Sequence, residues 1–423
     1  MISTSEADRL IDEAFASHHK ARLPTQAPVA LSIGCLLARD VFADADQPPF
    51  DRVAMDGIAI KLGDGAGDVN GVRSTAARTN FHIDGRLPAG VAMPEGLARP
   101  LPGNAIEVMT GAALPSPWNA VVPWEDLEPG GDGTQRRLRA GARLLCGMNI
   151  HKRASDYRKG DLLIASGTRI SAPHVHILAS VGCAVVPIVP FPRISLVATG
   201  DELVAVNAAP APWQIRTSNM VALEACLRRA GFSVGNVTHL PDREESLRSG
   251  LADALATSDV LLLSGGVSKG SKDFVPMVLS SLGCTRVFHG IAQKPGKPLW
   301  FGVSPQGGMI FALPGNPVSS LVCFVRYVLP RLRAWGETGP AGQSPAGALT
   351  LPLAERAEVK PDCALFLPAT VELRPDGIQA ARLRESKGSG NFAGLLPSDG
   401  IAELLPGRTI LPEGAPIRFF PWP

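Results

Sequence analysis

At 423 residues the chain is too long for a single hydrophobic core and is sized for two to four domains. Apolar residues make up 45%, charged residues 19%, and the net charge is +2, a balance that suits a globular protein and gives no basic footprint for nucleic acid. The seven cysteines are odd in number and lack CxxC spacing, so they indicate neither a disulfide framework nor a thiolate zinc site and fit a reducing cytoplasm.

The N-terminus has no basic segment followed by an apolar one, and no apolar run nears the roughly 18 residues of a membrane span, so neither export nor membrane insertion is expected. Ala7, Leu10, Ile11, Ala14 and Phe15 recur at helical spacing and predict a helix over 5–21, with Ser5 as its N-cap. From about 46 to 142, short apolar runs broken by Gly, Pro and Asp, as at Gly63 to Gly67, predict a small β-rich domain. Between 189 and 335, β-rich runs (Ile194–Ala198, Val234–Leu240, Val260–Leu263) alternate with helical segments (Thr217–Ala230, Asp242–Leu255, Phe274–Leu282). This alternation predicts a parallel sheet with covering helices. A helical stretch from Pro317 to Trp335, a linker over 336–345 and a C-terminal part of short strands complete four structural parts.

Chemistry concentrates where apolar runs end. Thr199-Gly-Asp-Glu-Leu203, the glycine loop at 264–273 and Pro314-Gly-Asn-Pro317 each follow an apolar strand, and in a parallel sheet all three emerge at one edge to form a composite site. In the glycine loop, Gly265 and Gly266 let backbone N–H groups approach an anion, Lys269 and Lys272 add positive charge, and Asp273 suits a cation. The Gly-Ser-Lys order at 270–272 inverts that of a nucleotide P-loop. Lys294-Pro-Gly-Lys-Pro298 holds two cations on a rigid turn suited to an anion. In the β-rich part, Asp51 and Asp56 suit Mg²⁺, Thr110 suits hydrogen bonding to an anion, and Glu125-Asp126 reads as an ordinary acidic strand end. His174 and His176 point to different sides of a helix and read as packed or surface residues. Trp213 and Trp300 carry no assigned role.

Taken in order, these segments resemble the molybdopterin molybdenumtransferase family, which includes MoeA and the E domain of gephyrin. The matching motifs are Pro48-Pro-Phe-Asp-Arg-Val-Ala-Met-Asp-Gly57, Met109-Thr-Gly111, Glu125-Asp126, Asn149-Ile150, Ala198-Thr-Gly-Asp-Glu-Leu203, Ser264-Gly-Gly-Val-Ser268, Lys294-Pro-Gly-Lys-Pro298 and Leu313-Pro-Gly-Asn-Pro-Val-Ser319. The resemblance implies a multidomain α/β-plus-β protein in four parts. A small mixed α/β domain comprises 1–45 and 143–188, and a β-rich domain is inserted at 46–142. A doubly wound, molybdopterin-binding-like α/β domain occupies 189–337 and a C-terminal β domain 338–423.

The resemblance also implies a cytoplasmic homodimer with its active site in a cleft formed with the partner subunit. The implied reaction inserts molybdenum from molybdate into adenylylated molybdopterin, releases AMP and uses Mg²⁺. Expected partners are molybdopterin adenylyltransferase and molybdoenzyme maturation proteins, with no nucleic acid or membrane. Asp56, Thr110, Asp201, Asp273, Lys294 and Lys297 are the expected catalytic residues, with Asp201 and Asp273 holding Mg²⁺. Gly265, Gly266, Ser268, Pro314, Gly315, Asn316 and Pro317 are expected to bind substrate. Some positions depart from the family pattern. Ser155 stands where a glutamate is usual, Glu107 where arginine is frequent and Ser271 where glutamate is frequent, while Lys387-Gly-Ser-Gly390 matches a Gln-Gly-Ser-Gly motif in part. The alternatives are a divergent non-catalytic molybdopterin-binding paralogue acting as scaffold or carrier, and a molybdopterin adenylyltransferase.

Overall fold

The computed structural model describes residues 1–18, 23–62, 80–97, 99–131, 133–142, 144–267, 274–335, 348–359, 362–386, 388–407 and 410–423. Gly63 to Gly67, the linker at 336–345, Lys387, and Ser268, Lys269, Ser271, Lys272 and Asp273 of the glycine loop lie outside the described residues. Contacts divide the chain into one unit of Met1–Thr25, Gly34–Leu36 and Ile188–Pro423, and a second of Gln26–Ile33 and Leu37–Pro187.

The first unit is built on a sheet whose strands are β1 (Ile194–Thr199), β2 (Val234–Leu240), β3 (Val260–Ser264), β4 (Thr285–His289), β5 (Trp300–Val303) and β6 (Met309–Leu313), in spatial order β2-β1-β3-β6-β5-β4. The four strands β2, β1, β3 and β6 run parallel, as the alternation of strand and helix predicts. Strand β5 is antiparallel to both its neighbours, which departs from the expected all-parallel sheet. The cause is the tight Ser304–Gly308 turn joining β5 to β6, far too short for the crossover that a parallel pair needs.

Helices cover both faces because the strand side chains alternate. Leu196, Ala198 and Leu262 pack with the helices α1 (Thr4–His18) and α2 (Ser218–Arg229) through Ile11 and Leu223. Val197, Leu261 and Leu263 pack on the other face with α3 (Glu244–Thr257) and α4 (Val275–Ser281) through Leu251 and Val278. Each such buried aliphatic side chain contributes about 1.5–3 kcal/mol. The chain leaves β1 toward one face and β3 toward the other, so a crevice opens at their carboxyl ends.

Ser3 caps α1, not Ser5: the Glu6 N–H donates to Ser3 Oγ at 3.1 Å, and the helix begins at Thr4. The helical stretch after β6 comprises α5 (Pro317–Cys323), a π-helical segment Phe324–Val328 and a final α-helical turn Leu329–Arg333. The wider π turn carries Arg326, which is fully buried. Arg326 pairs with both Asp8 oxygens at 2.8 and 2.7 Å and lies 3.4 Å from Glu403 Oε2. Arg331 adds bonds to Asp8 at 2.8 Å and Asp12 at 3.0 Å, and Arg418 approaches Glu403 Oε2 at 3.0 Å.

The C-terminal strands form a sheet ordered Gln293–Lys294, Ala364–Leu373, Gly400–Leu404, Pro416–Pro421 and Leu349–Pro352, with Gln379–Leu383 paired to Ala364–Leu373. Gln293–Lys294 therefore tethers the Lys-Pro-Gly-Lys turn to this sheet.

In the second unit, six short strands form a largely antiparallel sheet ordered Ala120–Pro123, Gly57–Ile60, Asn104–Val108, Asn80–Leu87, Gln135–Leu138 and Leu127–Pro129. Ile58 and Ile60 enter one apolar cluster and Ala59 the other, the period-2 signature of a strand covered on both faces. No described helix is long and apolar enough to cross a membrane.

Candidate functional site

Three strand ends define one cavity of about 460 Å³ in the first unit, and the wall carries Thr199, Gly200 and Glu202 after β1, Ser264 to Val267 after β3, and Pro314 to Pro317 after β6. The convergence expected from the sequence is thus present. Gly265, Gly266, Pro314, Gly315, Asn316 and Pro317 all line the space.

The glycines are there for room. Gly265 has φ +101°, and a Cβ on it would sit 2.6 Å from the Thr199 carbonyl oxygen. On Gly266, with φ +68°, a Cβ would meet Val275 at 2.6 Å. Both positions press against Thr199, whose hydroxyl is buried in the cavity wall without a hydrogen-bond partner among the described residues. A buried, unpaired hydroxyl costs about 1–3 kcal/mol unless a ligand or water pairs with it.

Side chains far apart in sequence hold the loops together. Asn219, at the start of α2, donates from Nδ2 to Ser264 Oγ at 2.9 Å and to the Gly315 carbonyl at 2.8 Å, bridging two loops. Asn316 Nδ2 donates to Ser389 Oγ at 3.0 Å, bringing part of the Lys387-Gly-Ser-Gly390 segment to the cavity's third loop. His239 Nε2 lies 2.8 Å from the Gly200 carbonyl and His289 Nε2 lies 3.0 Å from the Val267 carbonyl. A carbonyl only accepts, so both rings carry their proton on Nε2. Asn316 belongs to a motif already singled out, whereas Asn219, His239 and His289 have no local sequence signature.

The charged residues distribute differently from expectation. Asp201 does not line the cavity; its Oδ1 accepts the Asp242 N–H at 3.1 Å, and the carboxylates on the wall are Glu202 and Asp242. Lys294 and Lys297 are exposed and do not line it either, although Pro298 does. Their turn is fixed from below. Gln293, 2% exposed, accepts a bond from the Tyr327 hydroxyl and donates to the Pro295 carbonyl at 2.9 Å, while Cys323 Sγ donates to the Gly296 carbonyl at 3.5 Å. Ser268 and Asp273 fall outside the described residues. Among the described residues no group of three His, Cys, Asp or Glu side chains is arranged to hold a metal.

In the second unit, the structure brings Asp56 and Thr110 together. Asp56 Oδ1 accepts the Thr110 backbone N–H at 2.6 Å and its hydroxyl at 2.7 Å, and these two bonds hold the carboxyl below its usual value. Thr110→Ala removes the hydroxyl donor, so the Asp56 pKa is expected to rise toward the ordinary aspartate value. Carboxyl-carbon NMR titration checks the direction, and an unmoved Asp56 counts against the pairing. Asn149 has φ +53° and donates from Nδ2 to the Val121 carbonyl at 3.0 Å, which gives a backbone reason for asparagine there. Asp51 accepts bonds from Lys152 Nζ at 2.7 Å and Arg153 N–H at 2.9 Å, fixing the segment that carries the exposed Ser155. His174 Nδ1 accepts the Ser171 N–H at 3.1 Å, so this residue caps its helix. Trp300 is core, 1% exposed, and Trp213 is 77% exposed.

Comparison with known proteins places this architecture. Residues 2–182 match the family described as the MoeA N-terminal region (domain I and II), and residues 195–334 match a probable molybdopterin binding domain. The molybdopterin molybdenumtransferase of Synechocystis is 34% identical over 392 residues, covering 92% of this chain and 93% of the relative. Molybdopterin molybdenumtransferase 1 of Mycobacterium tuberculosis is 34% identical over 322 residues, covering 73% and 74%. A crystal structure of the molybdopterin biosynthesis MoeA protein from Pyrococcus horikosii superposes with TM-score 0.74 at 27% identity over 98% of each chain. With identity sustained over nearly the full length and both family models matched in order, the chain belongs to the molybdopterin molybdenumtransferase (MoeA) family.

Proposed function

We propose that this protein is a molybdopterin molybdenumtransferase that inserts molybdenum from molybdate into adenylylated molybdopterin and releases AMP. The observation that carries the reading is the meeting of three strand-end loops in one cavity, with backbone room at Gly265 and Gly266 beside the orphaned Thr199 hydroxyl. An oxyanion or diphosphate ester needs fixed donors without Cβ obstruction; the Gly265 N–H is held by the Leu313 carbonyl at 3.2 Å, which leaves the Gly266 N–H as the proposed backbone donor.

Mg²⁺ fits the donor set. It binds through one or two carboxylates plus substrate phosphate oxygens, and Glu202 and Asp242 offer such carboxylates on the wall. Asp201 supports them by receiving the Asp242 N–H, and Asp273 remains a proposed ligand. When bound, the ion neutralises phosphate charge as the bond to AMP breaks. The chain's own contribution is positioning: Asn219, His239 and His289 hold the loops, and Gln293 with Tyr327 holds the turn that presents Lys294 and Lys297. Asp56 and Thr110 are proposed as further catalytic residues. The proposed assembly is a cytoplasmic homodimer with a cleft shared between subunits.

The test combines purified protein, adenylylated molybdopterin, Mg²⁺ and molybdate, and follows AMP. Molybdate-dependent AMP release is expected. Tight binding of the substrate without AMP release would contradict the reading and mark a carrier.

A further inference from the structure

We propose that Arg216 is the anion anchor of this cavity, gripping a phosphate oxygen of the adenylylated substrate; the inference rests on the transferase reading above. Arg216 closes a short parallel pairing of Leu203–Val204 with Ile215–Arg216, in which Val204 faces Arg216. The flanking bonds Ile215 N–H to Glu202 carbonyl at 2.8 Å and Thr217 N–H to Val204 carbonyl at 2.9 Å lock that register. Its own Nε donates to the Ala208 carbonyl at 3.1 Å, which restrains the side chain of a residue that lines the cavity.

Three further observations point to an anion. Arg216 is the one cationic side chain lining the cavity among the described residues, and no described carboxylate pairs with it, although Glu202 and Asp242 line the same space. With Glu202 and Asp242 given to Mg²⁺ in the reading above, Arg216 is the side-chain cation left on the described wall to meet an anion. The next residues open α2, where Thr217 makes no side-chain cap bond, and Ser218, Asn219 and Met220 line the wall. Independently, Thr199 is 3% exposed and its hydroxyl lacks a partner in the same wall. A guanidinium, a helix N-terminus and an unsatisfied hydroxyl on one cavity wall suit a phosphate chemically, and the planar fork of arginine suits it in a way lysine's point charge does not.

The experiment titrates ADP, as a diphosphate probe, into the full-length wild-type protein, R216Q and R216K by calorimetry, alongside molybdate-dependent AMP release by each. R216Q is expected to weaken ADP binding about tenfold to hundredfold and raise KM for the adenylylated substrate more than it lowers kcat. R216K is expected to recover part of the affinity, since it restores charge without the fork. Unchanged ADP affinity in R216Q, or no ADP binding by the wild type, overturns the proposal. If R216Q binds ADP normally while the wild type releases AMP, the anchor is wrong and the transferase reading stands. If R216Q weakens ADP binding while the wild type releases no AMP, the anchor stands and the transferase reading falls.

Discussion

Gly265→Ala is expected to cut AMP release per unit substrate by about a hundredfold while leaving the fold in place. At φ +101° an L side chain carries backbone strain of about 1–3 kcal/mol, and the new methyl would lie 2.6 Å from the Thr199 carbonyl oxygen and 2.9 Å from its hydroxyl. Neither neighbour gives way easily: Thr199 ends β1, which is paired on both sides by β2 and β3, and it is buried. The glycine loop must therefore shift away from Thr199, which disturbs the cavity wall that both segments form. Gly231→Ala is the control. It has φ +90° and nothing within 4 Å of a new Cβ, so it adds comparable strain with no displacement of the loop. Steady-state kinetics and urea unfolding of both variants separate the two effects. Gly231→Ala should lose stability and keep its turnover; a Gly265→Ala enzyme with wild-type kcat/KM would refute the assigned role of the loop.

The second large effect concerns stability. Arg326→Met is expected to destabilise the protein by about 3–5 kcal/mol, because it strips the cation from one fully buried and one largely buried acid. Glu403 is fully buried and Asp8 largely so, and Arg326 is the residue that touches both. Burial alone would push the Asp8 carboxyl up, but the Arg326 and Arg331 guanidiniums hold it below its usual value. A depressed folded-state value means that this pairing is at full strength above the unfolded value of about 3.9 and is lost as pH falls through the folded value. Stability measured by urea unfolding should therefore fall from below about pH 4, and Asp8→Asn should flatten that limb. An Arg326→Met variant as stable as the wild type would show that the network contributes nothing net.

Much of the α/β domain is legible in the sequence because its central strands β1, β3 and β6 are largely apolar runs and its helices have an apolar stripe. The three polar loops could be read for the same reason: each directly follows such a run. What the sequence does not carry is cross-linking between distant elements. Asn219 meets the Gly315 carbonyl across 96 residues, and a side chain that bonds to another element's backbone leaves no local pattern. That Glu202 lines the cavity and Asp201 does not is also hidden, because adjacent residues in a turn point in different directions, which spacing does not encode. The π-helical segment is likewise silent, since Phe324 to Val328 reads as ordinary helix. Ser3 precedes the helix while Ser5 lies within its first turn, a shift of the boundary that the apolar spacing does not resolve.

Whether the protein completes the molybdenum cofactor is decided by activation of an apo-molybdoenzyme with the product made from this protein, adenylylated molybdopterin, Mg²⁺ and molybdate. A transferase is expected to yield enzyme activity only when molybdate is present, rising in step with AMP release. AMP released without active cofactor, or substrate held without turnover, would contradict that function.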